Sequence, residues 1–405
     1  MRADASLHRA AAFLLLVALL PSCAPVAAVS TMPAPVAPEA QEPMLRARVA
    51  VYEDADVADL LTRVTSALLA DGERASRPEV VVLADPTIGA FVLPSGRIYL
   101  HTGLLARLDN EAQLAAILGR ALTLTARRAA LEARAGGAAI DETLLAMPTT
   151  VAAALASPDP TVTVLSPVPH AILGARLTVV YVAAMAGYGA ALEAEADAGA
   201  LRRLVRAGYD PKAAPKAFER LRREAKAGGP IERCYLAQEG ALGERIESLA
   251  RLVAGDYVVA AAAPGTIETT DDFEEAMAGL AGENARLELR IGRFRAAQEQ
   301  IERAITIWPG DARAHLTLGD LYRLRGQRAR GAADRDELAR RAMVEYERAA
   351  VLDPDLAEVA RQVGLLYYQQ GQHARAREAF ERYLAGAPDA ADAARVREYL
   401  SVLRR

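Results

Sequence analysis

The chain has 405 residues, more than one ordinary domain, and its 52% apolar content is enough for at least two hydrophobic cores. Its 48 basic and 52 acidic residues leave a net charge of −4, which excludes both the basic footprint of a nucleic-acid binder and a polyacidic tail. Aromatic residues make up only 5% while Ala and Arg are abundant, a balance that favours helices with polar surfaces over a sheet-rich sandwich.

At the N-terminus, Arg2 and Arg9 flank the start of an apolar run from Ala10 to Leu20, and Leu20-Pro21-Ser22-Cys23 follows. Residues 1–22 thus resemble a bacterial lipoprotein signal, with Pro21 an unusual member of the lipobox. Cleavage before Cys23 would leave a lipidated cysteine, and two or more acyl chains hold a protein stably on a bilayer. An ordinary signal peptide with a chance cysteine, or an uncleaved anchor, are the competing readings. Ala24 is not the Asp associated with inner-membrane retention, so the expected location is the bacterial cell envelope, lipid-anchored at the outer membrane and facing the periplasm. Residues 23–44 are rich in Pro and Ala and read as a semi-extended tether. Cys234 has no partner once Cys23 is acylated and reads as a packed thiol.

Next come an expected strand around Val49–Tyr52, a helix from Asp54 to Leu69, a strand at Val80–Ala84 and a hairpin-like segment around Pro94–Tyr99. Ser157 to His170, with four prolines, reads as a loop. The 16-residue apolar run Leu177–Leu192, flanked by Arg176 and Glu193, is short for a membrane span and fits a buried core helix.

Three stretches in this region carry a family resemblance. Gly89 to Leu105, GAFVLPSGRIYLHTGLL, is similar to the edge-strand and turn segment of the HtpX and CAAX-prenyl-protease family of zinc metallopeptidases. Leu114 to Arg128, LAAILGRALTLTARR, stands where that family has its His-Glu-x-x-His helix, and Tyr188 to Pro211 resembles the helix carrying the third metal ligand. Such a helix needs two imidazoles one turn apart to hold zinc, and a Glu beside the first to activate water. The corresponding positions are Arg120, Ala121 and Leu124, while Glu193 keeps the third-ligand position with Asp197 four residues on. Gly189 and Ala190 replace a usual Ser-Arg pair, and Glu239 and Gly240 replace a usual His-Pro ahead of Glu244, Arg245 and Ile246. The apolar positions Leu114, Ile117, Leu118 and Leu122 keep helical spacing, so the scaffold is expected to persist without the metal chemistry. The resemblance implies a zincin-like α+β domain over residues 45–255.

A composition shift at Ala260–Asp272 marks a boundary, with a linker expected over 256–275. Beyond it Gly292, Gly326 and Gly371 lie 34 and 45 residues apart, and Pro309, Pro354 and Pro388 lie 45 and 34 apart. This is the tetratricopeptide period with one insertion of 11, expected in the inter-helix turn around Gln327–Leu338. Residues 276–405 are therefore expected to form an α-solenoid closed by a capping helix from about Ala390 to Leu403, making the molecule mainly α with a small β element. On its concave surface, Arg313, Arg323, Arg361 and Tyr368 are candidates to hold an acidic or C-terminal segment of a protein partner, against the alternative of a solvated groove.

Other chemistry is sparse. Of the five histidines, His8 leaves with the signal, and His101, His170, His315 and His373 contain no pair at ligand spacing. No phosphate loop, Cys-x-x-Cys or nucleophile elbow is present. The sequence reading is a non-catalytic metallopeptidase-like lipoprotein, without a cofactor, that binds protein clients or envelope-assembly partners through its repeats; in domain order it is similar to BepA-type proteins. The alternatives are a divergent zinc metalloendopeptidase in envelope quality control, with zinc as its cofactor, and a purely structural repeat adaptor. Arg120 is expected to fill the vacated metal space and pair with Glu193 or Asp197.

Overall fold

The computed structural model describes residues 42–43, 45–46, 49–93, 95–135, 190–227 and 239–403. The signal segment with Cys23, most of the tether, the loop Ser157–His170, Cys234 and all but the last three residues of Leu177–Leu192 lie outside the described residues. Among the described residues no helix is long and apolar enough to cross a membrane.

Asp54 starts the first helix, α1 (Ala55–Leu68), by accepting a hydrogen bond from the Val57 amide at 3.0 Å. Val57, Leu60, Leu61, Val64 and Leu68 recur at helical spacing and are buried in the main core. The three strands β1 (Val80–Leu83), β2 (Ala90–Val92) and β3 (Ile98–His101) form one sheet in the order β1-β3-β2. β1 runs parallel to β3, and β2 antiparallel to it. The strand expected at Val49–Tyr52 is reduced to a single bridge, Val51 to Leu83, with Tyr52 N donating to Val82 O at 2.8 Å. Gly96, at φ +82°, makes the turn between β2 and β3.

A short helix α2 (Thr102–Leu105) leads into the long helix α3 (Glu111–Ala135), and α4 (Ala190–Arg206), α5 (Ala213–Ala227) and α6 (Glu239–Ala254) complete the body. α3 and α4 lie close because small residues face each other. A Cβ on Gly199 would sit 2.4 Å from the Thr123 side chain, and one on Gly119 3.3 Å from Ala200 Cα. This approach sets Arg120 opposite Glu193.

The expected linker is structured. It contains α7 (Val258–Ala262), a bridge from Ile267 to Tyr209, and Thr270 as the cap of α8 (Asp271–Arg290). The repeat helices follow as α9 (Phe294–Ile307), α10 (Ala312–Arg328), α11 (Ala332–Leu352), α12 (Ala357–Gln369), α13 (His373–Gly386) and the cap α14 (Ala393–Leu403). Pairs α10–α11 and α12–α13 interlock at glycines: a Cβ on Gly319 would meet Tyr346 at 2.4 Å, and one on Gly364 would meet Phe380 at 2.6 Å. The insertion does not make a long turn. Only residues 329–331 separate α10 from α11, and the extra residues lengthen α11 to 21 residues, because Ala332 to Leu338 hold no helix breaker.

Candidate functional site

Arg120 on α3 is 9% exposed, and Glu193 and Asp197, one turn apart on α4, are 6% and 5% exposed. The Arg120 Nη2 donates to Glu193 Oε2, and its Nε lies 3.4 Å from Asp197 Oδ1. The expected pair therefore forms with both carboxylates. A second guanidinium completes it: Arg245 of α6 donates from Nε and Nη2 to the two Asp197 oxygens at 2.9 and 2.7 Å. Its Nη1 also lies 3.3 Å from Glu193 Oε2. The Phe218 ring on α5, 4.5 Å beneath its Cζ, holds Arg245 in place. Two cations and two anions make the cluster neutral, which is what burial of charge demands.

Arg245 was not foreseen, although it stood within the Glu244-Arg245-Ile246 segment. A charge count contained the signal: two carboxylates at i, i+4 on a buried face need two cations, and Arg120 supplies one.

A family zinc would need lone-pair donors at this place. Guanidinium carries none, Ala121 and Leu124 offer no ligand atom, and both are 7% exposed among the apolar core. Among the described residues no three His, Cys, Asp or Glu side chains gather to hold a metal. The residues present do not fit zinc, and Glu193 and Asp197 are engaged by arginines instead.

His101, at the end of β3, is fully buried. Its Nδ1 is 3.0 Å from Thr87 Oγ1, which in turn lies 2.5 Å from Asp85 Oδ1. A Cβ on Gly89 would strike the imidazole at 2.4 Å, so glycine is needed there for close approach. Burial pushes the imidazole pKa below its ordinary value, against the opposing pull of Asp85. His101 is a packing residue of the sheet, remote from any second imidazole at ligand distance among the described residues.

The four candidate residues of the repeat surface do not share one open groove. Arg323 is 8% exposed, donates to Tyr346 OH at 3.2 Å and lies 3.6 Å from Asp320. Asp320 also accepts from Tyr346 OH at 2.7 Å and from Gln362 Nε2 at 2.8 Å, and burial raises its pKa. Arg361 pairs with Asp392 and sits 5.5 Å over the Tyr383 ring. Tyr368 packs edge-on to Tyr399 at 5.2 Å, against the cap. Arg313 alone of the four is exposed. Inner-helix arginines were expected to face a partner; here Arg323 meets a carboxylate and a phenol within the α10–α11 pair, and Arg361 meets Tyr383 of α13 and Asp392 ahead of the cap, because those acceptors need donors.

Residues 54–253 match peptidase family M48, and residues 328–401 match a tetratricopeptide repeat family. The mitochondrial metalloendopeptidase OMA1 of Arabidopsis thaliana is 30% identical over 174 residues, 43% of this chain and 31% of that protein. The chain thus spans about a third of the length of that relative. A solved structure of the human IFIT1 dimer with PPP-AAAA aligns over 70% of this chain and 71% of its own, at 16% identity and a TM-score of 0.25.

Proposed function

We propose that this chain, an M48-type peptidase body joined to tetratricopeptide repeats, is a non-catalytic member of that architecture that binds protein clients or assembly partners at the cell envelope. It would be anchored by lipid at Cys23, at the outer membrane and facing the periplasm. One observation carries the reading: the guanidinium groups of Arg120 and Arg245 neutralise Glu193 and Asp197 at the place where the family resemblance puts zinc. In this reading the described residues at that place offer zinc no ligand set to activate a water, and Glu193 and Asp197, both paired with arginine, are not free to act as the base.

Repeats of this kind bind protein segments, and three of them supply the binding surface in this reading. The anchor and the envelope location rest on the sequence features of residues 1–44, and the client class on the repeats and the similarity in domain order to BepA-type proteins. Membership of a peptidase family, and likeness to a protein named a metalloendopeptidase, favour a second reading in which a divergent site cleaves peptides. Incubating the purified full chain with casein, with and without a chelator, separates the two. The first reading expects no cleavage in either arm, and chelator-sensitive cleavage would establish the second.

A further inference from the structure

The sequence period assigns α8 to the repeats, yet its apolar face is part of the peptidase body. Phe273, Ala276, Met277, Leu280 and Ala281 are buried in the same core cluster as Leu60 of α1, Leu104 of α2 and Leu114 of α3. The cluster reaches Ala304 of α9 and Ala314 of α10. On its other side, Ala285 and Leu289 of α8 pack with Ala297 and Ile301 of α9 and Leu318 of α10.

Buried polar bonds cross the same junction. Thr102 Oγ1 lies 2.9 Å from Asn284 Oδ1, and Asn284 Nδ2 donates to Gln300 Oε1 at 2.7 Å. Thr102 and Asn284 are fully buried and Gln300 is 6% exposed. Arg107 donates to Gly103 O at 2.6 Å and to Glu288 Oε1 at 2.7 Å, tying the turn after α2 to α8. At the other end of α8, the cap residue Thr270 hydrogen-bonds Glu111, the first residue of α3, and Ala112 N donates to Glu268 O at 2.9 Å. α3 is the helix that carries Arg120.

We infer that α8 belongs to both halves of the molecule, closing the core of the peptidase-type body while opening the repeat array, so that the body and the first repeat unfold as one cooperative unit. The array is then a fixed extension of the body and not an arm on a hinge. The buried Thr102–Asn284–Gln300 chain cannot part without stranding donors and acceptors away from water, so the junction opens only when the surrounding core opens. A partner held by the repeats would act through α8 on the start of α3. That use alone rests on the binding reading above; the shared unit stands without it.

Native-state hydrogen exchange on the full chain tests the inference with no client present. In mild urea, the slowest amides of Leu114–Leu122 in α3 and Phe273–Leu289 in α8 should converge on one opening reaction, whereas those of α13 and α14 are free to open earlier. Asn284→Ala should raise exchange in both α3 and α8 together, by about tenfold or more. Gln300→Ala, which removes the outer member of the bonded chain, should do the same to a smaller degree and serves if Asn284→Ala does not fold. Separate opening reactions for α3 and α8, or acceleration confined to α8 and α9, would overturn the shared unit.

Discussion

Arg120→Ala is the sharpest perturbation of the site. Arg120, Glu193 and Asp197 have side chains 11%, 8% and 7% exposed, so its removal leaves two buried carboxylates facing one guanidinium, that of Arg245. Breaking a buried ion pair by deleting one partner costs about 3–5 kcal/mol, chiefly through the stranded charge. Arg245 already contacts both acids, at 2.7 Å from Asp197 and 3.3 Å from Glu193, and retains part of the stabilisation. The lower end, about 3 kcal/mol, is therefore expected. In urea unfolding of the full chain this corresponds to a midpoint lower by about 1 M. Glu193→Gln removes the excess negative charge, so the double variant should be more stable than the sum of the single losses by about 1.5 kcal/mol. A loss below about 0.5 kcal/mol for Arg120→Ala, the range of an ordinary surface substitution, would refute the reasoning, as would strict additivity.

Three other outcomes follow from the same structure. Gly364→Ala should cost about 1–3 kcal/mol in thermal unfolding because its new methyl meets the Phe380 ring at 2.6 Å, and a neutral result would mean that the helices can part freely. Arg323→Glu should lower thermal stability by placing a second acid beside Asp320, 3.6 Å from the present guanidinium, whereas exposed Arg313→Glu should leave it unchanged; equal effects would contradict the burial. Folded His101 holds a proton less tightly because burial lowers its pKa, while the unfolded imidazole takes a proton near its ordinary value of about 6.5. Its contribution to stability is therefore complete above that value and declines as pH falls towards the lowered folded value, by up to about 1.4 kcal/mol per pH unit. Urea unfolding between pH 7 and 5 should show a flatter slope for His101→Gln than for the wild type, and identical slopes would exclude His101 as the source.

The sequence made the helices legible where period and caps agree. Asp54 followed by Val57, Leu60, Leu61 and Val64 marks α1 by local rules alone, and the Gly and Pro spacing marks the repeat pairs. It was less informative where tertiary contacts decide. The Val49–Tyr52 strand shrank to one bridge because only Val51 pairs with Leu83. The insertion after Gly326 reads as turn by spacing and folds as helix. The boundary before residue 276 follows composition, but α8 starts at Asp271 and its apolar face answers to the body core. At the site, Arg120 with Glu193 and Asp197 could be read from type and position, since an arginine is the cation suited to two carboxylates. The charge count called for a second cation, but that Arg245 supplies it, and the internal partners of Arg323 and Arg361, could not be read, because each depends on which helices the fold brings side by side.

Metal content tests most directly whether arginines have replaced zinc. The full chain and the variant Arg120→His/Ala121→Glu/Leu124→His should be purified side by side and their zinc measured by elemental analysis. Putting imidazoles in place of the Arg120 guanidinium and the Leu124 side chain, beside Glu193, restores the three-ligand set that zinc requires. The wild type is expected to carry far less than one zinc per chain and the variant to approach one. One zinc per chain in the wild type, lost to a chelator, would contradict the replacement of metal by arginine.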